Sequence, residues 1–124
     1  MIAIGIDAVD IKRFGHWHTY KTQLLSRIFS PTEIAYCLSI PQKSAERFAV
    51  RFAAKEAFFK ALYQMSPGQV PPFLKVARHA HVTTSTGNPT LAIDWKALNV
   101  LPVTALVTLT HTKTIALAQV LIVG

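Results

Sequence analysis

The sequence predicts one α+β domain spanning residues 1–124, with an antiparallel sheet packed against a long helix. Helix patterns fill most of the chain before Ser66, and strand patterns separated by turn residues fill the part after Pro72. Between them three prolines, Pro67, Pro71 and Pro72, forbid a helix across the join. At 51% apolar and 15% charged residues, the chain has enough hydrophobic surface for a core and too little charge for disorder. No apolar run reaches the roughly 18 residues of a membrane span. Residues 1–10 lack the basic leader of a secretion signal, so a cytoplasmic protein without a membrane partner is expected.

Taken in order, Ile2, Ile4 and Ile6 alternate with smaller residues as a short strand, after which Asp10 is placed to cap a helix running to about residue 29. Ser30-Pro31-Thr32-Glu33 is a capping box that starts a second helix, which Pro41 ends. Residues 45–63 form the third and best helix, rich in Ala, Arg, Lys and Glu. At about 100° per residue, Phe48, Phe52, Phe59 and Tyr63 fall within an arc of about 60° and make its core-facing stripe. Strands follow at 73–84, 90–94, 103–110 and 115–123. Thr86-Gly87-Asn88-Pro89 forms a tight turn and His111-Thr112-Lys113-Thr114 a longer connection, so consecutive strands pair antiparallel. Val103, Ala105, Val107 and Leu109 share a buried face opposite Thr104, Thr108 and Thr110. The last strand is apolar on both faces apart from Gln119, which predicts a central strand or one covered by a second subunit.

Charge is uneven along the chain. Of a formal +7, most lies from Lys12 to Lys60, where nine basic residues meet three acids, and that half should attract an anionic partner. Cys37 stands alone, excluding an internal disulfide or a cysteine-rich zinc site, and reads as a buried thiol on a helix. The five glycines are isolated and make no phosphate-cradling loop. The aromatics fall on the core stripe and no standard nucleic-acid motif occurs, so no nucleic-acid partner is expected.

Glu56 lies just beside the aromatic stripe, where an unpaired carboxylate is costly. It is either one half of an ordinary Glu56 to Lys60 surface pair at i, i+4, or a metal ligand with a phosphate-binding lysine beside it. Asp7, ending Gly5-Ile6-Asp7, is a helix cap or a ligand, with Asp10 equally placed for capping. Two carboxylates on separate elements with Lys and Arg adjacent would suit magnesium bridging to phosphate oxygens. His79 and His81 share one side of a strand without a third metal ligand and read as solvated, while His16 and His18 do not face one another. His111, between the hydroxyls of Thr110 and Thr112, is a turn residue or a ligand contact.

Four segments together carry a resemblance. They are Gly5-Ile6-Asp7 followed by Arg13; Arg51-Phe52-Ala53-Ala54-Lys55-Glu56-Ala57-Phe58-Phe59-Lys60-Ala61; Gly87-Asn88-Pro89; and Val107-Thr108-Leu109-Thr110-His111-Thr112. In order and spacing they resemble the holo-[acyl-carrier-protein] synthase family, the small trimeric class of 4'-phosphopantetheinyl transferases. The resemblance implies that fold, a homotrimer, coenzyme A and apo acyl carrier protein as partners, Mg²⁺ as cofactor and a role in fatty acid biosynthesis. It implies that Asp7 and Glu56 bind the metal, which also contacts the coenzyme A pyrophosphate. Glu56 or a metal-bound water takes the proton from the carrier serine, and the serine attacks the β-phosphate. The 3',5'-ADP that leaves has its charge offset by the metal and Lys60. The catalytic set is thus Glu56, Lys60 and Asp7. Arg51, Lys60, Gly87, Pro89, His111 and Thr112 would contact coenzyme A in a cleft shared by adjacent subunits, and Lys12, Arg13, Lys21 and Arg27 on a basic first helix would dock the acidic helix of the carrier. The chain departs from the family at Asn88, where Gly-Lys-Pro is common, and after the long helix, where no glycine occurs until Gly68. The alternative is a non-catalytic module that binds an acidic carrier protein or coenzyme A.

Overall fold

Small residues decide how the longest helix meets the sheet. The computed structural model describes residues 1–85 and 87–124. Strand β1 (Ile2–Asp10) turns Ala3, Gly5, Asp7 and Val9 inward and Ile2, Ile4 and Ile6 outward. Helix α3 (Ser44–Met65) lies against its inner face, with Ala57 and Ala61 meeting Gly5 and Ala49, Ala53, Ala57 and Ala61 all fully buried. At Gly5 the approach is so close that a Cβ would overlap the carbonyl oxygen of Ala57.

The helix expected from Asp10 to residue 29 does not form. The chain passes instead through 3₁₀ turns at Ile11–Phe14 and Trp17–Thr19 and a single turn, α1 (Thr22–Leu25), and Asp10 makes no side-chain cap. In a continuous helix Phe14 and Phe29 would stand about 22 Å apart. Here Phe14 packs on Phe52 at 5.4 Å between ring centres and Phe29 on Phe48 at 5.2 Å, positions one turn apart on α3. Burying both rings on one site requires the intervening chain to fold back, and Gly15 with the His, Trp, Thr and Tyr that follow has little helix propensity to resist it.

The capping box is present: Ser30 Oγ accepts from Glu33 N at 3.1 Å and Glu33 Oε1 accepts from Ser30 N at 2.9 Å, opening α2 (Pro31–Leu38). On α3, Phe48 and Phe52 are buried as the stripe predicts, but Tyr63 is exposed and Phe58, off the stripe, is buried against Trp95. A single stripe describes a helix covered on one side, whereas α3 is covered by β1, β5, α2 and the segment that follows it.

That segment corrects the strand expected at 73–84. Residues Phe73–Arg78 form a helix, α4, which accounts for the burial of the adjacent Val76 and Ala77; a strand with one buried face cannot bury neighbours in sequence. Strand β2 (Ala80–Ser85) follows and pairs only with β3 (Asn88–Ile93), while β4 (Thr104–His111), β5 (Ile115–Val123) and β1 make a separate antiparallel sheet in the order β1-β5-β4. The second half of the chain therefore builds two sheets, one completed by the first strand, and β5 is central as its two apolar faces predict. Ser85 pairs with Asn88 and Gly87 takes φ +83°, as a tight turn needs; Thr86 of that turn lies outside the described residues. Among the described residues no helix is long and apolar enough to cross a membrane.

An ion pair that the sequence pattern does not reveal ties these parts together. Buried Lys55 donates to Glu33 Oε1 at 2.9 Å and to the carbonyls of Ala77 and Ala80 at 2.8 and 2.7 Å, and Glu33 Oε2 accepts from Val82 N at 3.0 Å. Burial alone would raise the Glu33 pKa, but His81, the Lys55 charge and the amides of Ser30 and Val82 outweigh it and hold it at about 2. Lys55, counted within the basic excess, is therefore closed to any partner. Cys37 is buried, and burial pushes its thiol up to about 12, in keeping with an unreactive thiol.

Candidate active site

Alternation along β1 aims Asp7 at α3 two residues beyond the Gly5 contact, where Glu56 and Lys60 flank it. Lys60 does not form the expected surface pair with Glu56. Its Nζ crosses to the strand and donates to Asp7 Oδ1 at 3.1 Å and to the Ile6 carbonyl at 3.0 Å. The other oxygen, Asp7 Oδ2, is buried without a hydrogen-bond partner. Glu56 is half-buried, and desolvation first, then the negative charge of Asp7, raise its pKa against the pull of Lys60 and Arg13. Arg13 is steered toward this corner by its guanidinium resting 5.0 Å above the Phe52 ring. Two interacting carboxylates, one with a bare buried oxygen, form a place where a cation relieves both repulsion and desolvation. Among the described residues no three His, Cys, Asp or Glu side chains converge, so these two acids are the protein donors of that kind.

A second cluster leaves α3 elsewhere. Arg51, Gly87, Pro89 and His111, all predicted coenzyme contacts, line one cavity of about 390 Å³ with Lys43 and Arg47. Lys43 and Arg47 are not among the residues that the motifs single out, although Lys43, Arg47 and Arg51 recur every four residues and that basic ridge is their signal in the sequence. His111 Nε2 lies 3.2 Å from Glu46 Oε1. Thr112 is absent from the cavity wall, its hydroxyl accepting from the amides of Thr114 and Ile115 within the turn. Lys60 also stands apart, at Asp7. His79 ends α4, its Nδ1 2.8 Å from the Lys75 carbonyl, so it shares no strand face with His81, whose Nδ1 is 3.5 Å from Glu33 Oε1. Arg51 and Glu56, five residues apart on one helix, point about 140° apart. The acid cluster and the basic cavity therefore do not face one another within one chain.

Lys12, Arg13, Lys21 and Arg27 are exposed along the 3₁₀ and α1 stretch instead of on one helix. Beside them Trp17, Tyr20, Leu24 and Ile28 line a cavity of about 250 Å³ that Arg27 borders. An apolar hollow bordered by Arg27 is suited to a partner of the opposite charge with an apolar side chain to insert.

The model of the 4'-phosphopantetheinyl transferase superfamily matches residues 3–115. The holo-[acyl-carrier-protein] synthase of Treponema denticola is 38% identical over 128 aligned positions, covering 100% of this chain and 99% of that one. That of Geotalea daltonii is 54% identical over 59 positions, 47% of this chain and 46% of its own. Among solved structures, the Chronobacterium ammoniagenes ACPS-CoA complex superposes with a TM-score of 0.82 at 25% identity, covering 98% of this chain and 96% of that one. The Helicobacter pylori holo-[acyl-carrier-protein] synthase in complex with coenzyme A gives 0.73 at 28% identity, covering 97% and 99%. With a family model over nearly its whole length and a relative matched end to end, the chain belongs to the 4'-phosphopantetheinyl transferase superfamily.

Proposed function

We propose that this chain is a holo-[acyl-carrier-protein] synthase: it moves the 4'-phosphopantetheine arm of coenzyme A to a serine of apo acyl carrier protein and releases 3',5'-ADP, serving fatty acid biosynthesis in the cytoplasm. The observation that carries the reading is the Asp7, Glu56 and Lys60 cluster in a chain matched over its full length by the Treponema denticola synthase. In the transfer, the serine oxygen bonds to the β-phosphorus, the bond to 3',5'-ADP breaks, and the serine proton passes to Glu56. Lys60 supplies positive charge where the leaving phosphate becomes more negative. Arg51 and His111 hold the phosphates of coenzyme A, with Gly87 and Pro89 letting the turn backbone approach. Thr112 acts through the shape of the turn that presents His111.

Asp7 and Glu56 would hold Mg²⁺, a fit supported by the unpartnered Asp7 Oδ2 and the mutual repulsion of the two acids. When bound, the ion would polarise phosphoryl oxygens and offset charge on the leaving group. Magnesium commonly takes one or two carboxylates and completes its shell with substrate phosphates and water, which suits a two-acid set.

The active form is proposed to be a homotrimer. Support comes from the outer sheet face, where Ile2, Ile4, Ile6 and Leu106 are 70, 47, 53 and 55% exposed, and from the divergence of the two clusters, which a neighbouring subunit would bring around one coenzyme A. Lys12, Arg13, Lys21 and Arg27 would dock the acidic carrier.

Incubation with apo carrier protein, coenzyme A and Mg²⁺, followed by intact mass measurement, should show the phosphopantetheine gain. Glu56→Ala should abolish it while carrier docking survives. No mass gain with the wild-type chain would leave a non-catalytic binding module.

A further inference from the structure

Two guanidiniums of the basic cavity share one aromatic ring. Arg47 Cζ lies 3.9 Å and Arg51 Cζ 4.3 Å from the centre of Tyr36. The arginines stand one turn apart on α3, a spacing at which like charges repel. Arg47 is fixed further by donating through Nη1 to the Tyr36 carbonyl at 2.8 Å and to Ser39 Oγ at 2.9 Å. Arg51 is only 5% exposed, its Nε has no hydrogen-bond partner, and no carboxylate of the described residues lies within ion-pair distance of it. A buried cation without a counter-ion is costly until an anion arrives, and the electron-rich face of an aromatic ring is what steadies it meanwhile. Tyr36 comes from α2, which the Glu33 to Lys55 pair locks onto α3, so the ring is delivered by a rigid element.

We propose that Tyr36 is a positioning residue: its ring holds Arg47 and Arg51 in the geometry that receives the phosphates of coenzyme A, with Arg47 a second guanidinium contact beside Arg51. This rests on the transferase reading. Tyr36 acts through the two arginines and touches no reacting atom.

The test compares Tyr36→Leu, Tyr36→Phe and Arg47→Met with the wild type, reading KM for coenzyme A, kcat for carrier modification and, by calorimetry, the Kd of 3',5'-ADP. Tyr36→Leu should raise both KM and Kd about tenfold, with kcat within about twofold of wild type. Tyr36→Phe, which keeps the ring, should behave as wild type, and Arg47→Met should match Tyr36→Leu. Unchanged KM and Kd in Tyr36→Leu, or equal losses in Tyr36→Phe, would overturn the role of the ring. If Tyr36→Leu does not fold, Arg47→Met carries the test, and an unchanged KM there overturns it. A wild-type chain that binds 3',5'-ADP but modifies no carrier overturns the transferase reading instead, and calorimetry alone then decides the stack.

Discussion

Lys60 reaches back from α3 to Asp7 on β1, Nζ to Oδ1 at 3.1 Å, and Glu56 one turn earlier is left with no ion-pair partner among the described residues. Glu56 consequently feels Asp7 as a repelling charge and Lys60 as an attracting one. In the metal-free protein Glu56 should therefore titrate above an ordinary glutamate, and added Mg²⁺ should lower it. Without metal, Asp7→Asn should lower the Glu56 pKa and Lys60→Met should raise it, followed by NMR titration of the side-chain carboxyl. Shifts of the opposite sign would mean that the three groups are not coupled as described. Lys60→Met should also cost roughly 10²-fold in kcat.

Gly5 is where β1 and α3 touch, and the obstacle to any side chain there is a backbone carbonyl. Gly5→Ala should cost about 3 kcal/mol, seen as a lowered thermal midpoint, and no side-chain change on α3 should restore it. Activity should fall with it, since the same contact sets Asp7 against Glu56.

Acid stability should turn on Glu33. Its pKa is depressed from 4.5 to about 2, so the stability it contributes is complete above pH 4.5 and is lost as pH falls toward 2. Glu33→Gln should flatten the unfolding free energy across that window. Lys55→Met should cost about 3–5 kcal/mol by leaving a buried carboxylate unpaired, and adding Glu33→Gln should recover part of the loss.

A shared active site can be tested by mixing subunits. Glu56→Ala and Arg51→Met oligomers should each be impaired, and oligomers re-formed from both should regain transfer, because some interfaces then pair an intact acid cluster with an intact basic cavity. A mixture as inactive as its parents would place both halves of the site within one chain. Leu106→Lys, on the apolar outer face, should lower the sedimenting mass and abolish transfer together.

Carrier docking should be electrostatic. Lys21→Glu with Arg27→Glu should raise KM for the carrier about tenfold while leaving KM for coenzyme A unchanged, and added salt should weaken the wild type toward the variant. Salt-insensitive carrier KM would exclude this face.

Features with a local cause are legible in the amino-acid sequence itself. The capping box at Ser30 and Glu33, the proline loop before α4, the long helix and the central β5 depend on caps, ring constraints and periodicities confined to a few neighbouring residues. Asp7, Glu56 and Lys60 are legible because an acid after alternating isoleucines and a charged pair beside an aromatic stripe stand out by type and spacing, although β1 runs on to Asp10 and Asp7 lies inside the strand instead of at its end. Tertiary structure decides the rest, since burial is won across the chain. Phe14 and Phe29 gain more by meeting Phe52 and Phe48 than a helix between them could offer, and Val76 with Ala77 gain a helix where the residue pattern suggests a strand. Lys60 pairs with Asp7 in place of Glu56, and Lys55 with Glu33, through contacts 53 and 22 residues apart that no local spacing encodes. The residue types proposed for the chemistry are thus written in the sequence, while their partners are set by which surfaces pack together, because charge follows burial and burial is non-local.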